Sequence, residues 1–265
     1  MAVKMDVSGK IAVVTGGGGD IGAACCEIFA QAGAKVAVTD IFQENIDKVV
    51  DKINSAYPGM AKGYLLNIAE KEAVDRVFGQ VSEELGNVNI LISSAGHAGE
   101  NANFFLATPE EARSIYDVNI IGTQMCIKAA AKQMIPEKEG KIIIISSIAG
   151  RQGAASLVNY SGSKSALISL TQSAAQILAK DNINVNAICP GFLLTSMWER
   201  GLERFSKAWN CTKEEAWKKI ALDKIPMGRS QECVDVANLA LFLASPLAVN
   251  ITGQAINVDG GTKMN

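Results

Sequence analysis

Thr15-Gly16-Gly17-Gly18-Gly19-Asp20-Ile21-Gly22 directly follows the apolar run Ile11–Thr15 and opens a helical pattern over residues 20–33. Glycines at such a junction let the backbone turn sharply and come close to an anion such as a pyrophosphate, which the amides of a helix N-terminus stabilise. Gly16, Gly18, Gly19, Asp20, Ile21 and Gly22 are therefore candidate cofactor contacts. A glycine-rich turn can also be purely structural, and its context decides between the two. Asp40 closes the next apolar run, Lys35–Asp40, about twenty residues on. A carboxylate there accepts hydrogen bonds from the ribose hydroxyls of adenosine and repels a 2′-phosphate, so NAD is expected rather than NADP. The competing reading makes Asp40 a solvated cap for the helix that starts near Phe42.

Outward from this loop, short apolar β-branched runs alternate with stretches of helical periodicity, the pattern of repeated βα units on a parallel sheet. Strands are predicted at Ile11–Thr15, Lys35–Asp40, Ala61–Leu66, Val88–Ser93, Lys141–Ser146, Asn184–Ile188 and Gln254–Val258. Helices are predicted at 20–33, 42–56, 70–86, 108–135, 157–181 and 231–244. No internal repeat, low-complexity tract or linker divides the 265 residues, so one α/β domain spanning 1–265 is expected. The exception to the rhythm is Thr195 to Lys224, which is polar and holds all three tryptophans. A segment that long is either a disordered excursion or a pair of small helices over a site, and its aromatic content favours a folded lid at about 195–224.

The net charge of −2, with cations spread along the chain, provides no basic stripe for nucleic acid. The first ten residues lack an apolar core, and the run Ile142–Ile145 is far too short to span a bilayer, so no membrane association and a cytoplasmic location are expected. The six cysteines show neither a CxxC pair nor zinc-ligand spacing, and no metal is expected.

Tyr160 and Lys164, four residues apart in Tyr-Ser-Gly-Ser-Lys, project from one face of the predicted helix 157–181. An ammonium about 4 Å from the phenol would contribute roughly 4 kcal/mol at an effective dielectric of about 20, lowering the phenol pKa by about three units. A phenol tuned in that way is a competent general acid and base. Ser147 ends the strand Lys141–Ser147 at the carboxyl edge of the sheet, where it can hydrogen-bond a reacting oxygen. Tyr160 and Lys164 alone would read as an ordinary surface pair; their placement beside the glycine loop, Asp40 and Ser147 argues otherwise.

With these residues in place, the sequence resembles the short-chain dehydrogenase/reductase family over essentially its whole length. The glycine loop matches the family's Thr-Gly-x-x-x-Gly-x-Gly, and Ser147 with Tyr160-x-x-x-Lys164 matches its catalytic set. The resemblance implies a single-domain, Rossmann-type, doubly wound parallel sheet of about seven strands and nicotinamide-linked hydride transfer on a small alcohol or carbonyl substrate. It also implies a homo-oligomer, tetramer or dimer, through the helices at 108–135 and 157–181. Asn119 matches the asparagine that completes the tetrad beside the lysine. Pro190, Gly191, Leu193 and Thr195 match the segment that contacts the nicotinamide carboxamide, and Asp259-Gly260-Gly261 matches the C-terminal signature. Asn67 and the segment Ser94, Ala95, Gly96 fall on cofactor-contacting positions, together with Tyr160 and Lys164.

Three departures stand out. Asp20 occupies the place of the second loop glycine and is expected to turn away from a pyrophosphate to cap a helix. Asn67 replaces an aspartate, and Ser93-Ser94 replaces a pair of asparagines. On the substrate side, His97 has two readings, substrate contact or loop residue, as do Glu100, Asn103, Gln152 and Asn159. The lid's Met197, Trp198, Arg200, Arg204 and Trp209 suit a polyhydroxylated or anionic molecule. The stretch Leu193-Leu194-Thr195-Ser196-Met197 through Ile225-Pro226 to Thr252-Gly253-Gln254-Ala255-Ile256-Asn257-Val258 resembles sorbitol-6-phosphate 2-dehydrogenases and related sugar-alcohol dehydrogenases, which makes a polyol, sugar alcohol or its phosphate the expected substrate. Arg151, Arg200 or Arg204 are then phosphate ligands if it is phosphorylated and solvated surface charges if it is not. The alternatives are a 3-oxoacyl or hydroxysteroid-type reductase and a non-catalytic nucleotide-binding scaffold.

Overall fold

In chain order the computed structural model, which describes residues 5–99 and 104–264, runs β1 (Ile11–Thr15), α1 (Asp20–Gln31), β2 (Lys35–Asp40), α2 (Gln43–Ala56), β3 (Ala61–Leu65), α3 (Lys71–Glu84) and β4 (Ile90–Ser93). It continues with α4 (Pro109–Tyr116), α5 (Thr123–Glu137), β5 (Gly140–Ile145), α6 (Val158–Leu178), β6 (Ile183–Pro190), α7 (Ser196–Trp209), α8 (Lys213–Ile220), α9 (Cys233–Ala244) and β7 (Ala255–Val258). Every strand pair is parallel, in the order β3-β2-β1-β4-β5-β6-β7. Each strand-to-strand crossover therefore needs a helix, and both faces of the sheet are covered.

The two faces sort the side chains by the two-residue period of a strand. Along β5, Ile142 and Ile144 join Val13, Leu91, Phe78, Cys126, Met134 and Leu178 on one side. Ile143 and Ile145 join Ala12, Val14, Phe29, Ile46, Ile188 and Val236 on the other. Each of these isoleucines, fully removed from water, contributes about 2–3 kcal/mol. Cys25, Cys26, Cys126 and Cys189 are all buried among such residues. No helix among the described residues is long and apolar enough to cross a membrane.

Strand order reverses at β1, whose neighbours are β2 on one side and β4 on the other. Ligands of open α/β sheets bind in the crevice at such a point. The glycine loop after β1 and the segment after β4 meet there: Gly16 has φ 66°, and a Cβ on it would lie 2.8 Å from the Ala95 backbone. Only glycine satisfies both the backbone conformation and the close approach.

The predicted helix 108–135 is interrupted. α4 passes into α5 through a six-residue π-helical stretch, Asp117–Gly122, which contains Asn119. The expected lid is folded as α7 and α8. Leu202, Ala216, Trp217, Ile220 and Ala221 form its own small core, with Phe192 and Trp198 packed on it, and Trp198 and Trp217 meet edge-on at 5.7 Å. Thr212 and Glu215 cap α8 reciprocally.

Candidate active site

Four elements bring the predicted residues together at the carboxyl edge of the sheet. The chain leaves β5 extended and turns at Ser147, whose Oγ accepts from the Ala149 amide (3.1 Å) to cap the short turn Ile148–Gly150. The first turns of α6 supply Tyr160 and Lys164. Lys164 is only 4% exposed. Its Nζ donates to the Ile145 carbonyl (2.8 Å) and lies 5.5 Å from the centre of the Tyr160 ring.

The electrostatics reverse one expectation. Rather than falling, the Tyr160 phenol is pushed up to about 12 by burial, against the opposing effect of the Ser147 hydroxyl. Burial also brings the Lys164 ammonium down to about 8. Desolvation disfavours the charged form of each group, so the lysine is itself a weakened cation near neutral pH and its ammonium is engaged by the Ile145 carbonyl. The spacing of the two residues does not reveal that burial.

Asn119, fully buried, uses its whole amide. Its Oδ1 accepts from the His97 backbone N–H (2.9 Å), while Nδ2 donates to the His97 carbonyl (2.9 Å) and to Ser163 Oγ (2.9 Å). Ser163 in turn donates to the Tyr160 carbonyl (2.7 Å). This link between the asparagine and the tyrosine turn is a role the sequence reading missed; the visible clue was a second serine inside Tyr-Ser-Gly-Ser-Lys. Gly96 threads between these groups, since a Cβ on it would lie 3.0 Å from Asn119 Oδ1 and 3.5 Å from Lys164 Nζ.

At the switch point Asp40 is held at both oxygens, Oδ2 by the Gly18 amide (3.1 Å) and Oδ1 by the Phe42 amide (3.2 Å). Each oxygen retains a further lone pair for a hydroxyl donor. Asp40 thus braces the turn after β2 beside the glycine loop, while α2 itself begins at Phe42 without a side-chain cap. Gly19 precedes α1 without any side-chain cap, so the first amides of that helix suit an anion. A cavity of about 900 Å³ lies beyond, lined by Ile41, Leu65, Asn67, His97, Arg113 and Val118 among others. Asn67 is bonded locally, to the Ala69 amide and to Glu70. The loop, Asp40 and this cavity together fit a dinucleotide.

Pro190 ends β6, Gly191 donates to Val258 O (2.9 Å), and Leu193 bridges to Gln231, which places Thr195 at the head of α7 with its side chain making no cap bond to that helix. Ser94 leaves β4 by donating its amide to Thr15 O, and Ala95 follows it against Gly16. Asp20 turns away as expected, but toward α7 rather than its own helix, and bonds Ser196. Ile21 and Gly22 continue α1.

The substrate-side expectations divide. His97 turns its ring to α4, with Nε2 3.1 Å from the Ser114 carbonyl, and lines the cavity described above rather than the space beside Tyr160. Asn159 does line a small pocket at Tyr160, with Ala98, Phe104, Glu111 and Leu157. Arg151 is bound to Asn257 Oδ1 (3.1 Å) and to the Ala255 carbonyl, so it braces β7 and is not available as a phosphate ligand. Gln152 accepts from Lys263, and Arg204 is exposed. Glu100 and Asn103 lie outside the described residues, as do the side chains of Met197 and Arg200.

Known proteins share both sequence and shape. A family model described as enoyl-(acyl carrier protein) reductase matches residues 18–263. The galactitol 2-dehydrogenase of Agrobacterium fabrum is 36% identical over 262 residues, which cover 98% of this chain and 100% of that protein. The 3-oxoacyl-(acyl-carrier-protein) reductase of Thermotoga maritima is 34% identical over 257 residues, 97% of this chain and 99% of its own. Among solved structures, the sorbitol-6-phosphate 2-dehydrogenase of Erwinia amylovora superposes with a TM-score of 0.90 at 33% identity, covering 96% of this chain and 100% of that one.

Proposed function

Since the chain belongs to the short-chain dehydrogenase/reductase family, nicotinamide-linked oxidoreductases of CH–OH groups, we propose that it is an NAD-dependent dehydrogenase of a polyol or sugar alcohol, free or phosphorylated. The observation that carries this reading is the convergence of Ser147, beyond the end of β5, with Tyr160 and the buried Lys164, whose Nζ lies 5.5 Å from the centre of the Tyr160 ring. When bound, the dinucleotide supplies the hydride acceptor and, in its oxidised form, a positive charge that favours ionisation of the phenol.

Ser147 holds the substrate hydroxyl and Tyr160 takes its proton as the C–H bond is broken. Lys164 stabilises the phenolate, and Asn119 fixes the strand-end segment at His97 on one side and the Tyr160 turn on the other. Gly16, Gly18, Gly19, Ile21 and Gly22 cradle the pyrophosphate at the α1 N-terminus. Asn67, Ser94, Ala95 and Gly96 border the adenosine side, and Pro190, Gly191, Leu193 and Thr195 border the nicotinamide. The exposed Tyr116, Ile121, Ile135 and Ile177 on the α4–α5 rod and α6 support assembly into a dimer or tetramer.

The observation that supports NAD over NADP is Asp40 at the end of β2, bonded to the Gly18 amide. Asp40→Ser is expected to lower kcat/KM for NAD about 10- to 100-fold, through loss of charge-assisted bonds to the ribose, and to raise it for NADP. Initial rates with each dinucleotide measure this; a wild type that already prefers NADP contradicts the assignment.

The 3-oxoacyl or steroid reading has in its favour, beside the similarity to a 3-oxoacyl reductase, a feature of the structure. Phe104, Phe105 and Leu106 are 60, 90 and 63% exposed, and Phe104 lines the pocket at Tyr160, an apolar approach that a sugar alcohol does not require. A panel of free and phosphorylated polyols, 3-oxoacyl thioesters and hydroxysteroids separates the readings. Dominant turnover of a thioester or a steroid overturns the polyol assignment, and no turnover of any of them returns the chain to a nucleotide-binding scaffold.

A further inference from the structure

The lid is fastened to the glycine loop by a contact between residues 176 positions apart. Asp20 heads α1, and its Oδ2 accepts from the Ser196 backbone N–H (3.0 Å) and from the Ser196 hydroxyl (2.9 Å). Ser196 is the first residue of α7, whose own N-cap residue, Thr195, makes no side-chain capping bond. Asp20 supplies that cap from another element. A third helix is close by. Cys233 opens α9, and its thiol is lifted to about 11 chiefly by burial, with the charge of Asp20 as the next cause. Asp20 thus stands in the first turn of α1 and at the first amide of α7, and aligned peptide dipoles favour negative charge at both places. Such a setting makes a carboxylate tolerable in a loop built for a pyrophosphate.

We propose that Asp20 is a positioning residue that latches the lid to the dinucleotide cradle, so that α7 is set over the substrate from the cofactor side. The inference rests on the cofactor and substrate reading given above. Two properties of the carboxylate are separable by mutation. Asparagine keeps an acceptor for Ser196 and loses the charge; glycine loses both. Pyrophosphate and carboxylate are like charges at one helix end, so removing the charge favours dinucleotide binding, whereas removing the acceptor frees the lid.

The test compares Asp20→Asn and Asp20→Gly in the full chain by three measurements: tryptic nicking at Arg204 and Lys207 of α7, NADH affinity by fluorescence, and KM and kcat for the best alcohol of the panel. Asp20→Gly is expected to be nicked about fivefold faster and to raise KM about tenfold with kcat within about twofold, the scale of one lost helix cap. Asp20→Asn is expected to restore KM and nicking to near wild type and to bind NADH about threefold tighter, as loss of a like charge predicts. Unchanged nicking in Asp20→Gly overturns the latch. Faster nicking with unchanged KM also overturns the proposal, because Asp20 is then a local cap with no hold on the substrate. If no alcohol is turned over, the functional reading fails by itself, and nicking and NADH affinity still decide whether the lid is tied to the cradle.

Discussion

Tyr160→Phe is expected to lower turnover by about 10³- to 10⁴-fold while NADH affinity stays within about twofold, the range over which a positioned general acid or base acts. The ring remains seated at the start of α6, and only the hydroxyl is lost. Because burial holds that phenol at about 12 in the protein alone, the proton is not released by the residue's own surroundings near neutral pH. The field of the oxidised nicotinamide and the shared hydroxyl network must supply the difference. Single-turnover formation of NADH, with NADH binding followed separately, measures the effect. Turnover within about tenfold of wild type would remove Tyr160 from the chemistry, since a general base contributes at least about 10²-fold.

Lys164→Met is expected to lower turnover about 10²- to 10³-fold, yet to make the protein more stable at pH 7. The fall of the ammonium from 10.5 to about 8 corresponds to about 3 kcal/mol by which folding disfavours the charged lysine at neutral pH. Loss of the bond to the Ile145 carbonyl offsets about 1–2 kcal/mol of this, leaving a net gain of about 1–2 kcal/mol. The pH dependence has a definite sign. The penalty is complete below about pH 8, where the lysine is charged in both states, and it fades toward 10.5 as the folded protein holds the neutral amine. The stability gap between variant and wild type should therefore narrow from pH 7 to pH 10. The raised thiols of Cys25, Cys126 and Cys233 destabilise both proteins alike above pH 9 and cancel in the difference. Denaturant titrations at the two pH values measure the gap; a variant less stable than wild type at pH 7 would mean that the amine holds the site together more than its burial strains it.

How much could be read in advance depended on whether the deciding interaction was local. β1 and β2 were legible to the residue, because apolar runs bounded by glycine and by Asp40 have few alternatives on a sheet covered from both sides. The residues meeting at the site were equally legible, since Tyr160 and Lys164 share a helix face and Ser147 follows a strand. The lid's two helices announced themselves through tryptophans in a polar segment. Burial was not legible, and with it went the direction of the Tyr160 shift. Long-range partners were hidden too: Arg151 is taken up by β7 about a hundred residues later, and Asp20 caps a helix that the chain reaches only after β6.

The π-helical stretch at Asp117–Gly122 has a consequence for alignment along the rod formed by α4 and α5. Ile115, Asn119, Thr123 and Ile127 recur every four residues, and in a regular α-helix such a row slips sideways by about 40° at each step. A wider turn, with its longer residue count, cancels part of that slip. Asn119 reaches His97 while Thr123, one turn on, meets Ser93 at 3.2 Å, so two tethers run from the irregular turn and the start of α5 to one strand end. The irregular turn acts as a phase corrector, and its width, more than any side chain in it, sets where the asparagine points. Removing one residue there would close the wide turn into a regular α-helix with little rotation of the flanking segments, because the turn already absorbs an extra residue, and the loss would fall on the placement of Asn119 itself.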